Sequence, residues 1–171
     1  MRKIAVMMSV ASIALSSWLY WGSDLKLEQE ISSREWQSKT VTVIEHTKTH
    51  QPIGPLRRVD ILSNVKYLPN GTYSRVSNIV LYAENDDNAQ NIMNISETGK
   101  WDVSDGYLLV TPAKFRNVSQ SQNQDFTAEE LELVTQIFKM DAQQSRRVDI
   151  VNDYTLLLTS LNHGSTVLFS N

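Results

Sequence analysis

The first feature of the hydrophobic pattern is an uninterrupted apolar run, Ile4 to Trp21 (IAVMMSVASIALSSWLYW), 18 residues without a charge. As a helix at about 1.5 Å per residue it covers roughly 27 Å, close to the ~30 Å hydrocarbon core of a bilayer. Arg2 and Lys3 precede it, and the first acid, Asp24, follows it. The positive-inside rule then leaves residues 1–3 in the cytoplasm, spans the membrane with residues 4–21 and exports the remainder. Trp18, Tyr20 and Trp21 close the run, and amphipathic rings favour the headgroup layer, so these three are the expected membrane-interface residues. A cleaved signal peptide is the alternative, with Ser12, Ala14 and Ser16 as small-residue cleavage positions. The apolar stretch continues past them into a bulky Trp-Leu-Tyr-Trp sequence, which favours an anchor. Both readings carry residues 24–171 out of the cytoplasm.

Residues 22–33 are polar with Leu25, Leu27 and Ile31 interleaved, a tether or a short helical extension of the anchor. From residue 34 to residue 171 the pattern becomes that of one β domain. Arg34–Glu45 carries Trp36, Val41, Val43 and Ile44 among Ser and Thr. Arg57–Leu68 alternates most clearly: Val59, Ile61, Val65 and Tyr67 share one parity, and Arg58, Asp60, Asn64 and Lys66 take the other. Asn70-Gly71 then marks a hairpin, because both residues tolerate positive φ. The return strand, Tyr73–Ala83, is apolar at both parities, as a bulge or burial on two sides would require. Glu84–Gln90 reads as a loop, Asn91–Ser96 as a short strand, and Trp101–Val103 with Tyr107–Phe115 as a hairpin around Asp105-Gly106. Arg146–Val151, Tyr154–Leu161 and Ser165–Phe169 are joined so tightly that they form an antiparallel meander.

One helix interrupts the strands. Thr127 followed by Glu130 is a capping-box pattern, and Leu131, Val134, Ile137 and Phe138 then fall on one side. The expected fold is mainly β, in the α+β class. An N-terminal transmembrane helix is followed by a periplasmic antiparallel barrel, lipocalin-like, or a strongly curved sheet, with about seven or eight strands and one late helix.

Composition narrows the chemistry. The formal charge is −3; taking Arg2 and Lys3 from the 16 basic residues leaves 14 against 19 acidic, or −5 for the rest. A domain of that sign has no electrostatic case for nucleic acid. The absence of cysteine excludes disulfides, thiolate catalysis and Cys-based metal sites. No phosphate-binding, nucleophile-elbow or zinc-protease motif occurs. His46 and His50 stand four apart but in a Pro-bounded loop, and His163 lies in a turn, so solvated histidines are favoured over a metal site. Asp86-Asp87 and Glu129-Glu130 are explained by solvation and by the helix dipole. The doublets Arg57-Arg58 and Arg146-Arg147 open strands, as edge residues or as contacts for an acidic partner. The sequons at Asn70, Asn94 and Asn117 read as polar surface. No cofactor is expected, and no enzyme; an exported, anchored β domain acts by binding.

Long strings carry a family resemblance. SSWLYWGSDLK (Ser16–Lys26), SREWQSK (Ser33–Lys39), GPLRRVD (Gly54–Asp60), SNVKYLPNG (Ser63–Gly71), LLVTP (Leu108–Pro112), QIFKMDAQQSRR (Gln136–Arg147), LLLTSL (Leu156–Leu161) and HGSTVLF (His163–Phe169) closely resemble the ToxS family of vibrios. The resemblance implies a regulatory protein of the inner membrane. It implies association with the periplasmic domain of a ToxR-type membrane-bound transcriptional activator, protection of that activator from proteolysis, and promotion of virulence-gene transcription. It further implies a lipocalin-like barrel completed by the partner and able to sense bile salt. The residues expected to line such a barrel are Trp36, Val59, Ile61, Val65, Tyr67, Tyr82, Trp101, Phe138, Leu156, Leu158 and Phe169. A stand-alone periplasmic lipocalin-like carrier of a small ligand is the alternative function.

Overall fold

A computed structural model describes residues 2–22, 24–43, 56–83, 86–117, 127–161 and 164–170. The apolar run forms helix α1, Arg2–Gly22, 21 residues long, or about 31 Å at the standard rise. Its described side chains, Val6 to Leu19, are all exposed; those of Tyr20 and Trp21 lie outside the described residues. Among the described residues, whose side chains in α1 run only from Val6 to Leu19, no helix is long and apolar enough to cross a membrane.

Eight strands close into one antiparallel barrel in simple sequence order. They are β1 (Glu35–Val43), β2 (Leu56–Tyr67), β3 (Thr72–Ala83), β4 (Asp86–Ser104), β5 (Tyr107–Asn117), β6 (Arg146–Asn152), β7 (Thr155–Ser160) and β8 (Gly164–Phe169). The up-and-down order follows from the short connections. Gly71 and Gly106 take φ of +75° and +78°, and Asp105 takes +54°, the left-handed region that tight hairpins need. The Asn70 side chain accepts from the Thr72 N–H at 3.1 Å and closes the β2–β3 turn locally.

Two helices finish the barrel. Residues 25–32 are helical (α2, Leu25–Ser32), not an extended tether, and α2 stops one end. Ile31 is buried among Trp36, Tyr67, Tyr73, Trp101, Leu156 and Leu158. Trp36 Nε1 donates to the Ile31 carbonyl oxygen at 2.8 Å, so the ring is both buried and satisfied. Asp24 leaves the α2 N-terminus uncapped by its side chain. Its carboxylate instead accepts the backbone N–H groups of Asp105 and Gly106, at 2.8 and 2.9 Å, in the β4–β5 turn. Helix α3 (Ala128–Ala142) lies across the other end. Both halves of its capping box form, with Glu130 N–H donating to Thr127 Oγ1 and Thr127 N–H to Glu130 Oε2. Val134 packs with Leu56, Ile79 and Leu81, and Phe138 meets Phe115 at 5.9 Å.

Two sequence expectations need correction. Asn91–Ser96 and Trp101–Val103 belong to one strand of 19 residues that also takes in residues 86–90, which had read as loop. Thr98-Gly99-Lys100 lies in the gap between the two expected strands, and glycine weakens strands in general. Here Gly99 is required: a Cβ would stand 2.2 Å from the Thr111 carbonyl oxygen and 2.9 Å from Pro112 Cα, where the β4–β5 register shifts. The apolar residues at both parities of β3 need neither central bulge nor double burial. Tyr73, Ser77, Ile79 and Leu81 face in, and Val76 stays on the surface. Ile44, His46, His50 and His163 lie outside the described residues, as do Glu84 and residues 118–125.

Candidate ligand cavity and partner seam

Three layers fill the barrel. At the α2 end the packing is dense and aromatic, with Tyr67 edge-on to Trp101 at 5.3 Å and Trp101 Nε1 donating to the Leu68 carbonyl oxygen at 2.9 Å. The middle layer is polar. Register sets Arg75 opposite Glu97, and Ser63 opposite Ser77. Glu97 is 1% exposed, accepting from the Tyr73 hydroxyl on one oxygen and from the Arg75 guanidinium on the other. The Ser63 and Ser77 hydroxyls pair at 2.7 Å. Burial and the bond to Glu97 push the Tyr73 hydroxyl far above its ordinary range, and burial raises Tyr67. Burial works against the Arg75 charge, but the Glu97 carboxylate outweighs it and holds the guanidinium protonated. An ion pair so enclosed survives only because both partners are matched.

Above that layer is a cavity of about 490 Å³, within the ~300–1,000 Å³ of small-molecule sites. Its walls differ. Leu56, Val59, Ile61 and Ile79, with Val134, Ile137 and Phe138 of α3, give an apolar side; Ser38, Thr40, Thr42, Ser160 and Thr166 give a hydroxyl-bearing side. Arg75 closes the floor with its guanidinium 5.2 Å from the Phe138 ring. Arg146 clasps the end of α3, donating to the Asp141 carboxylate at 2.6 Å and to its carbonyl oxygen at 3.1 Å.

The hydroxyl wall adjoins the weakest part of the sheet. β1 and β8 share one register pair, Gln37 with Phe169, whereas β1 and β2 share nine. Beyond Gln37, one edge of β1 has no ladder partner among the described residues. A second weak seam joins β5 to β6 by two pairs, Tyr107 with Arg147 and Leu108 with Arg146.

The sequence-chosen lining residues separate by height and by face. Val59, Ile61 and Phe138 line the cavity. Trp36, Val65, Tyr67, Trp101, Leu156 and Leu158 face inward but belong to the packed α2 end. Tyr82 and Phe169 are corrected: strand alternation turns both outward. Tyr82 lies 5.0 Å from the Arg58 guanidinium, and Phe169 is 37% exposed while its neighbour Leu168 is buried. Trp36 fixes the inner face of β1 and carries Ser38, Thr40 and Thr42 with it, small hydroxyl side chains that give no hydrophobic signal, while Val41 is exposed on the other parity. Glu97 shares the inner parity of Met93 and Ile95 but lies one residue past the Ser96 end expected for that strand. Three arginines of the doublets pair within the chain, Arg58 with Asp60, Arg146 with Asp141 and Arg147 with Asp149. Among the described residues no three His, Asp or Glu side chains could jointly hold a metal ion.

The fold is a helix-led, up-and-down antiparallel barrel of eight strands with a small cavity under its late helix. The family described as trans-membrane regulatory protein ToxS matches residues 20–169. The chain is similar to the transmembrane regulatory protein ToxS of Vibrio cholerae serotype O1, 62% identical over 170 residues, covering 99% of this chain and 98% of that protein. It is also similar to the transmembrane regulatory protein ToxS of Vibrio parahaemolyticus serotype O3:K6, 59% identical over 169 residues, covering 99% and 98%. The chain belongs to the ToxS family, a family of membrane regulatory proteins.

Proposed function

We propose that this protein is the non-enzymatic, membrane-anchored partner of a ToxR-type transcriptional activator. Helix α1 spans the inner membrane with the N-terminus in the cytoplasm, and residues 34–171 form a periplasmic domain that binds and stabilises the activator's periplasmic domain. The partner is thereby shielded from proteolysis and virulence-gene transcription is promoted. The observation that carries this reading is the β1–β8 seam. Beyond its single pair with β8, one edge of β1 has no ladder partner among the described residues, and a partner strand can take up such an edge by β-augmentation.

Thr40, Thr42 and Thr166 of these two strands also line the cavity. A ligand with one apolar and one hydroxylated face fits its two walls, and bile salt has that chemistry. A ligand that binds only the assembled pair stabilises it by mass action. Confinement of both proteins to one membrane raises their effective concentration.

The test is thermal melting of the full-length protein in membranes, alone, with the activator, and with activator plus bile salt. The reading expects a rise with the activator and a further rise with bile salt. Failure of the two proteins to associate by two methods contradicts it. That this chain alone lines the cavity favours a second reading, a stand-alone carrier. Bile-salt binding as tight without the activator as with it supports that alternative. Topology is checked by a reporter inserted after Leu161: activity in the periplasm is expected, and activity only in the cytoplasm overturns the anchored reading.

A further inference from the structure

The end of the barrel stopped by α2 is tied to the chain's membrane helix by a very short link. α1 ends at Gly22, and Asp24, two residues on, is bound through its carboxylate to the β4–β5 turn. Two residues reach at most about 7 Å. The headgroup layer on each side of a bilayer is itself about 5–7 Å deep. That end of the barrel therefore sits at headgroup depth wherever α1 is inserted.

The same end carries an overhanging hairpin. β6 leaves β5 at the pair Arg147–Tyr107 and makes one more bond, from Val148 N–H to the Gly106 carbonyl oxygen at 2.9 Å. It then continues to Asn152 paired only with β7. Four residues beyond Val148 extend roughly 13 Å at strand rise. The hairpin end exposes Ile150, Val151 and Tyr154 at 40%, 60% and 59%, with the polar Asn152 and Asp153 at the turn, and the Tyr154 carbonyl oxygen accepts from Ser170 N–H at 3.0 Å. The Tyr154 ring lies 5.1 Å from the Arg34 guanidinium, which also stands 5.8 Å from Trp36, directly after α2. The charges around the hairpin end, Asp105, Asp153, Asp149 and Glu30 against Arg34 and Arg147, give no basic patch, so the occupant is not selected by anionic charge.

We propose that the β6–β7 tip, Val151 to Tyr154, inserts into the phospholipid headgroup layer of the membrane that carries α1. A tyrosine beside an arginine suits that layer, the ring in the interface and the cation near phosphate. Two contacts, α1 and the hairpin, then fix the tilt of the barrel and the direction in which the β1–β8 seam faces along the membrane. This inference rests on the anchored reading of α1.

The chain has no cysteine, so single labels are unambiguous. The full-length protein is reconstituted into phosphatidylethanolamine–phosphatidylcholine vesicles with a spin label at Val151→Cys, Ile13→Cys or Leu161→Cys. Leu161, 89% exposed, lies at the far end of β7. Accessibility is read with a water-soluble relaxant and with oxygen, which concentrates in lipid. The expected result is a label at 151 several-fold less accessible to the aqueous relaxant than that at 161, enriched in oxygen, and shallower than that at 13. The same ordering is expected with the label moved to Asp153. A label at 151 as water-accessible as that at 161, with 13 in lipid, overturns the hairpin contact and leaves the anchor standing. A water-exposed label at 13 overturns both. Protection at 151 from relaxant and oxygen alike means cover by protein and also overturns the proposal.

Discussion

Glu97 is an anionic side chain set among Met93, Ile95 and Tyr73 on the inner face of a barrel, and its cost is offset by Arg75 and the Tyr73 hydroxyl. Removing one member strands the other. Glu97→Ala is expected to destabilise the protein by about 3–5 kcal/mol, the usual cost of leaving a buried charge unpaired. Replacing both, Arg75→Met with Glu97→Leu, should cost much less than the sum of the two single changes; equilibrium denaturation of the four proteins measures the coupling. Tyr73 and Tyr67 have folded-state values raised above the ordinary tyrosine value of about 10. The unfolded chain loses these protons first, so stability from this source is constant below about pH 10 and declines as pH rises further. Denaturation followed across alkaline pH should show that decline, and Tyr73→Phe should make it shallower. A loss that begins well below pH 9 contradicts the assignment.

At the scale of elements, the alternation of Val59, Ile61, Val65 and Tyr67, the Asn70-Gly71 and Asp105-Gly106 turns, the capping box and the final meander were all legible. Each is a local rule, period two or a residue that tolerates positive φ. What escaped was set by contacts between distant segments. The continuity of β4 through Gly99 depends on how closely β5 approaches at Thr111 and Pro112, which no local pattern reveals. Gly99→Ala is therefore expected to destabilise by about 1–3 kcal/mol, the range for a side chain forced into a filled space. Thermal melting checks it, and an unchanged midpoint contradicts the close approach. The α2 segment was ambiguous because Leu25, Leu27 and Ile31 are too few to show whether a short helix stands free or stops a barrel; Trp36 Nε1 bonding to Ile31 decides it.

For the whole molecule, the order of strands made a barrel readable, but not which parts of it are full and which are empty. Six of the eleven side chains chosen for the lining fill the α2 end, because bulky aromatic residues pack best where a helix seals the interior. The cavity is instead lined partly by small hydroxyl side chains that carry little hydrophobic signal. The resulting molecule is asymmetric along its axis, with a packed end held two residues from α1, a buried ionic layer, and a hollow end under α3 beside the sparsely paired β1–β8 seam.

The central claim is that the β1 edge at this seam receives the activator. Hydrogen exchange of the full-length protein in membranes, with and without the ToxR-type activator, tests it most directly. The account predicts slowed exchange in residues 38–43 of β1, at the alternate amides that point away from β2, while amides in the middle of β3 are unchanged. Equal exchange rates along β1 in the two samples, with the activator bound, contradict it.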